Sequence, residues 1–385
     1  MSLKLPYCFT GNIFAKKLIR MIRISSFLLI LMFCVACNSR NQKPVLSGML
    51  WGGEGNMLLI KPVLDGKNLY DTLFIDNMGE FAWNPDSVQP GLYRLENIFQ
   101  EGITFFIDAE NPQFVDGLYS EFPENLKLPD SNLPEIFYAI ENNTKKWNYE
   151  IDLIIAKIDS LKDNITSSQM KLFENEYDSI RKAYCEQTLA ISDEPIARMF
   201  ALLQTVGNNP MFDMWEYRNL FFETDATLKS LSHLEEVRIF SKNVARLRNM
   251  QLKYDNIEIG GHFPTLIFLN DTLNIAKYKG NPVYIEIRLA ETSYINPEIQ
   301  QYKRQGIEVV IILLDSSEKG IEEALPRIYA GHNCILDSRG ENSPVIDKLG
   351  IMQYPSNFLL NENGIVAAKN IWGERLEKVV LGMEN

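Results

Sequence analysis

Two short apolar runs, Val283–Leu289 (VYIEIRL) and residues 307–314 (IEVVIILL), are rich in β-branched residues, and residues 296–305 between them can coil into a helix. The second run is too apolar for a half-exposed strand and suits one covered on both faces of a sheet. Strand, crossover helix and strand spell a βαβ unit, which predicts a parallel pair. Farther on, Ser356–Leu360 and residues 365–369 flank Asn361-Glu362-Asn363-Gly364. Asn-Gly between two apolar runs is a hairpin signal. Residues 376–381 close the chain as a helix. From residue 255 onward the expected order is therefore β, α, β, α, β, β, α, an α/β domain over residues 255–385.

Upstream the period changes. Over residues 131–254, Ile151, Ile154, Ile155, Ile158 and Leu161 fall on one helical stripe, and residues 196–206 and 228–252 read similarly. Pro195 and Pro210 punctuate four or five expected helices. Over residues 45–130 short alternating runs (57–61, 71–76, 91–95, 103–108) are separated by Gly52-Gly53, Asp65-Gly66, Gly79, Pro90-Gly91 and Asn111-Pro112. That spacing predicts an antiparallel β sandwich or barrel. The chain reads as multidomain: β-rich, then α-helical, then α/β.

The composition sets limits. The 385 residues carry 38 basic and 50 acidic side chains, a net charge of −12, so no basic face for nucleic acid is expected. Five cysteines are too few for a disulfide scaffold. Residues 27–36 (FLLILMFCVA) are apolar, uncharged and preceded by Arg20 and Arg23. A spanning helix needs roughly 20 such residues, so residues 1–36 read as a secretory signal peptide, whose true start could equally be Met21. Val35-Ala36-Cys37 resembles a bacterial lipobox, with Cys34 where that family usually has Leu. It implies lipidation of Cys37 and a tether over 37–44; cleavage by the ordinary peptidase with Cys37 unmodified is the alternative. Removing residues 1–36 leaves 33 basic against 50 acidic groups, a net charge of −17. Lipid, not surface charge, would then hold the protein at a membrane. The tether lacks the acidic cluster that resembles a surface-export signal, which points to the periplasmic face, with the outer membrane favoured.

Several spaced segments resemble TlpA-like thioredoxin proteins of the bacterial envelope. They are Ile259-Gly260-Gly261-His262-Phe263-Pro264, Ile275-Ala276-Lys277-Tyr278-Lys279-Gly280-Asn281, Gly306-Ile307-Glu308-Val309-Val310, Ile335-Leu336-Asp337, Leu349-Gly350-Ile351, and Tyr354-Pro355-Ser356-Asn357-Phe358-Leu359-Leu360-Asn361. Each is weak alone; six in order imply a thioredoxin-like fold for residues 255–385. Gly48, Asp71-Thr72, Asp76-Asn77-Met78-Gly79-Glu80-Phe81 and Gly91-Leu92-Tyr93 fit the β-rich domain that precedes it in Bacteroidetes-type lipoproteins.

The resemblance implies a Cys-x-x-Cys motif after the first core strand, whose thiolate attacks a disulfide. That position falls on Thr292-Ser293-Tyr294-Ile295 or, in another register, Leu289-Ala290-Glu291-Thr292, and no cysteine lies between Cys185 and Cys334. A hydroxyl cannot form the mixed disulfide, so the catalytic site is expected to be degenerate. Cys185 and Cys334 are compatible with a disulfide, with two buried small apolar residues, or with a reactive Cys334. The family's matching proline, here Pro355, is cis and faces the active-site corner, where neighbouring backbone pairs with extended peptide. Tyr354, Pro355 and Ser356 are thus candidate binding residues, with turn-shaping as the plainer role for the proline.

Other chemistry has weaker support. His233, His262 and His332 lack partners at metal-ligand spacing, and no Gly-x-Ser-x-Gly, Walker-type or Gly-x-Gly-x-x-Gly motif occurs. Neither metal nor cofactor is expected. Glu286 interrupts an apolar strand; it is either buried with a raised pKa, or outward-facing or paired. Five Asp-(Ser/Thr)-apolar triplets, such as Asp71-Thr72-Leu73 and Asp271-Thr272-Leu273, resemble O-glycan acceptors of Bacteroidetes-type envelope proteins. The expected function is binding of a protein or peptide partner in the cell envelope by a redox-inactive thioredoxin-like domain, with membrane attachment through the N-terminal lipid only. The alternatives are a divergent thiol-disulfide oxidoreductase in envelope redox homeostasis and a structural role for the β-rich domain. Oligomeric state is left open.

Overall fold

The computed structural model describes residues 43–63, 70–108, 110–128, 132–161, 165–207, 209–268, 271–289, 299–315 and 333–383. The chain divides into two compact units, 1–131 and 132–385, so the boundary expected near residue 255 falls inside the second.

In the first unit, Leu46 and Leu50 of β1 (Leu46–Trp51) and Leu58 and Ile60 of β2 (Met57–Pro62) are buried. β3 (Asp71–Phe74), β4 (Glu80–Trp83), β5 (Gly91–Asn97), β6 (Gly102–Ile107) and β7 (Gln113–Leu118) follow. Alternating burial along β1, β2 and β4 turns one face inward, while β5 and β6 are buried along most of their length. The strands form two sheets, in orders β4-β1-β7 and β3-β2-β5-β6. Trp83 of β4 joins them: its Nε1 donates to Asp71 Oδ2 of β3 at 2.7 Å, and its ring lies 5.3 Å from that of Tyr93 on β5. The antiparallel expectation holds for the four-stranded sheet and for β1 with β4, and fails only where β7 pairs with β1 in parallel. A tight turn joins only antiparallel neighbours; β7 returns to β1 after the intervening strands, a connection long enough to reverse direction.

The second unit begins with α1 (Leu133–Leu161), α2 (Ser167–Leu189) and α3 (Pro195–Leu202). Thr166 and Gln169 form a reciprocal capping box at the start of α2, and Pro195 opens α3 where its missing N–H costs nothing. A hairpin of β8 (Thr205–Val206) and β9 (Asn209–Pro210), then α4 (Arg218–Thr227) and α5 (Glu235–Asp255), complete the helical part. The stripe expected on α1 departs at one residue, with Ile158 and Leu161 at its end half-buried. Ile151 and Ile154 are buried, but Ile155 is exposed. The buried seam runs through Phe137, Ile140, Thr144, Trp147, Ile151 and Ile154, a spacing of three and four that leaves a narrow contact with neighbouring helices.

A two-stranded ladder, β10 (Leu266–Ile267) with β11 (Thr272–Leu273), leads into the main sheet. Its elements are β12 (Val283–Leu289), α6 (Ile299–Arg304), β13 (Glu308–Leu314), β14 (Asn333–Asp337), α7 (Pro344–Leu349), β15 (Ser356–Leu360), β16 (Val366–Lys369) and α8 (Glu374–Met383). Strand order is β14-β13-β12-β15-β16, with β12, β13 and β14 parallel and β15 and β16 antiparallel. The apolar run in β13 is buried on both faces, as its composition predicts. Val283, Ile285 and Ile287 pack into one core cluster with α7; Tyr284 faces the other, with Ile299, Tyr302, Leu376 and Val380.

The end of α5 is built into the first cluster, which is why helices and sheet form one unit. Lys369 Nζ of β16 donates to Tyr254 O at 2.7 Å and lies 4.0 Å from the centre of its ring. The same ring meets Trp215 edge-on at 5.3 Å, and Lys253 pairs with Asp347 of α7. Gly350 caps α7 at φ +65° and touches the α5 main chain.

Candidate functional site

Open α/β sheets offer ligand sites beyond the carboxyl ends of their parallel strands. At that end of β12, Ile287 pairs with Ser356, the first residue of β15. The Tyr354–Pro355 bond just before it is cis. Pro355 is exposed and Tyr354 is half-buried against the core. Burial, then Glu341, pushes the Tyr354 phenol up to about 12, against a smaller opposing pull from Arg246 of α5. No hydrogen bond joins the main chain of Gln353 or Tyr354 to any described residue. Strand addition requires main-chain groups of this kind, left without a partner along an edge.

Two asparagines that the sequence reading passed over hold this corner. Asn357 is fully buried; its Nδ2 donates to Ile371 O at 2.8 Å and its Oδ1 accepts from Ile371 N at 3.1 Å. Asn370 stands at φ +50°, which asparagine tolerates better than most side chains. Its Oδ1 accepts from Asn357 N at 3.0 Å and from Ser356 Oγ at 2.8 Å. Ser356 is buried, and its hydroxyl is spent on Asn370. The clamp also fixes the loop carrying Trp372, an exposed aromatic beside the corner. The one signal in the sequence was a polar Asn at the start of an otherwise apolar strand.

Asn357→Ala leaves the N–H and C=O of Ile371 without these partners, a loss of about 1–3 kcal/mol. Urea unfolding of the full chain measures it, and amide exchange should accelerate at Ile371 while that of β13 changes less.

Beneath the corner runs a buried polar strip. Tyr284, Glu286 and Arg288 alternate along β12 and so share a face. Glu286 is fully buried and Arg288 nearly so. Tyr284 Oη donates to Glu286 Oε2 at 2.9 Å, and Arg288 Nε lies 3.1 Å from Glu286 Oε1. Burial raises the Glu286 pKa; Arg288 and the tyrosine hydroxyl offset part of that rise. Both sequence alternatives thus hold together: the carboxyl is buried and it is paired. Its cross-strand neighbours are Ile311 on β13 and Asn357 on β15. Arg288 was missed, although a period of two places it on the face of Glu286.

Thr292, Ser293, Tyr294 and Ile295 lie outside the described residues, as do the signal segment, Cys37 and His332. Cys185 and Cys334 are both free thiols. Cys185 is buried in α2, its Sγ 3.5 Å from Met211 O, and burial raises its pKa. Cys334 lies on β14 opposite Ile311 of β13, and burial pushes its thiol up to about 11. Among the described residues no three His, Cys, Asp or Glu side chains gather as a metal site, and no helix is long and apolar enough to cross a membrane.

No protein-family model matches the chain, and no curated protein matches it. Solved structures do. The C-terminal domain of a proposed thiol-disulfide oxidoreductase from Bacteroides thetaiotaomicron is 25% identical, covering 34% of this chain and 97% of its own, at a TM-score of 0.30. The thioredoxin domain of a thiol-disulfide oxidoreductase from Bacteroides vulgatus is 21% identical, covering 33% of this chain and 99% of its own, at 0.29. A thiol-disulfide oxidoreductase from Bacteroides fragilis is 20% identical, covering 31% of this chain and 96% of its own, at 0.28. The likeness extends over the C-terminal third alone. The parallel β12–β13 pair and the β15–β16 hairpin in that third are those the sequence predicts.

Proposed function

We propose that this protein is a lipid-anchored, periplasm-facing binding protein whose thioredoxin-like domain takes a protein or peptide partner by strand addition, without dithiol chemistry. The observation that carries the reading is the main chain of Gln353 and Tyr354, hydrogen-bonded to no described residue and held at the carboxyl end of the sheet beside Pro355 and Trp372. An extended peptide laid along it would gain main-chain hydrogen bonds, and the flanking aromatic and proline surfaces would select its side chains.

The chemistry of the thiols supports the inactive half of the reading. Disulfide exchange needs an accessible thiolate, and both Cys185 and Cys334 have pKa values raised by burial. No cysteine lies between them in the chain, so the family's motif position carries none. Anchoring rests on residues 27–37 and the lipobox resemblance. The acidic mature chain would not adsorb to anionic lipid by charge, so the lipid supplies the attachment.

The test uses S-carboxymethylated insulin B chain, an extended peptide with no free thiol. Hydrogen exchange on the full chain should slow at Gln353 and Tyr354 when the peptide binds. Absence of binding, or protection confined to other segments, would remove the strand-addition reading.

A further inference from the structure

Strand directions in the β-rich unit gather large exposed apolar side chains at one end. β1 ends there at Trp51, and β2 begins there at Met57. Met57 pairs with Phe74, the last residue of β3, which is 67% exposed. The turn into β4 carries Met78, also exposed, beside the end of β1, because Glu80 pairs with Met49. β5 reaches the same end, since Asn97 pairs with Leu58, and the following hairpin displays Ile98 and Phe99, the latter 73% exposed. β7 runs parallel to β1 and adds Leu118, the register partner of Trp51.

The loops carrying these residues are braced. Asn97 Oδ1 accepts from Phe99 N at 2.9 Å and Glu101 N at 3.1 Å, while its Nδ2 donates to Glu101 Oε2 at 2.9 Å. Asp76 Oδ1 accepts from Met78 N at 2.8 Å and Glu80 N at 2.9 Å. Loop main chain held this way loses little freedom on binding. Large exposed apolar patches with such preorganisation mark interaction sites.

Charge selects the occupant. Residues 51–57, 74–80, 97–102 and 118–121 contain Glu54, Asp76, Glu80, Glu101 and Glu121 and no Lys or Arg. A second copy meeting this end through a two-fold axis would set like charge against like, and an anionic bilayer would be repelled. We propose that this end is a docking surface for a protein partner that presents an apolar surface rimmed by lysine or arginine. This surface belongs to the first unit and the cis-proline corner to the second, and neither proposal rests on the other.

The probe is a synthetic amphipathic leucine–lysine helix, with a leucine–glutamate helix of the same pattern as its control, titrated into the full chain. The leucine–lysine helix should bind, more weakly as salt rises, and the leucine–glutamate helix should not. Replacing Phe74 and Phe99 together by serine leaves the charge unchanged and should weaken binding at least about tenfold, the level at which interface anchors register. Phe114→Ser, an exposed position at the other end of β7, should leave binding intact. The proposal is overturned if the double variant binds like the unmodified chain, or if both helices bind equally. It is also overturned if Phe74 and Phe99 instead mediate binding to phosphatidylcholine–phosphatidylglycerol vesicles or a concentration-dependent dimer.

Discussion

Replacing Gly350 by alanine is expected to destabilise the second unit by about 2–5 kcal/mol, combining left-handed backbone strain with overpacking. An added Cβ would lie 2.2 Å from Met250 O and 2.5 Å from Tyr254 N. Both are main-chain atoms of α5, so no rotamer change relieves the clash; the helix must move. Gly373 supplies the comparison. Its φ is +54°, but nothing lies within 4 Å of its added Cβ. Gly373→Ala should therefore cost about 1–2 kcal/mol, the strain alone. Urea unfolding gives the totals, and hydrogen exchange in the last turn of α5 locates the damage. Equal losses for the two variants would mean that α5 is not held against α7 as described.

Arg288→Met should cost about 3–5 kcal/mol at neutral pH, because it leaves a buried carboxylate without its cation. The loss should shrink in acid. The Glu286 pKa is raised by burial in the folded chain, and removing Arg288 takes away an influence that lowers it. A carboxyl with a raised folded-state pKa binds its proton more tightly folded than unfolded, so stability falls as pH rises from the unfolded value to the folded one. The penalty is thus absent below the unfolded pKa and complete above the folded one. Denaturation of the variant across that window should show its deficit closing toward low pH. Arg288→Met with Glu286→Leu should recover most of the stability at every pH, since apolar replacement of a buried pair is often neutral. A deficit that stays constant with pH would assign the cost to packing instead.

What was legible in the sequence follows from the range of the forces concerned. β13 showed in composition, because a strand covered on both faces has little room for polar residues. The hairpin of β15 and β16 showed in Asn363-Gly364, a local signal. The parallel pairing of β1 with β7 did not show, since alternation specifies a face and not a neighbour. The phase of α1 was misread at Ile155 because five isoleucines and leucines suggested a broad stripe where the packing made a narrow seam. At the candidate site, the corner residues Tyr354 and Pro355 came from motif order. The Asn357–Asn370 clamp depends on residues brought together by the fold, as does the bond from the Ser356 hydroxyl to Asn370. Arg288 was within reach: strand alternation from Glu286 places it on the same face.

The central claim is that the thioredoxin-like domain binds without exchanging disulfides. Insulin reduction by dithiothreitol, followed as turbidity with and without the full chain, tests it most directly. No acceleration over dithiothreitol alone is expected, and no difference between the chain and its Cys334→Ser variant. Acceleration that disappears on Cys334→Ser would contradict it and would make this protein a divergent thiol-disulfide oxidoreductase.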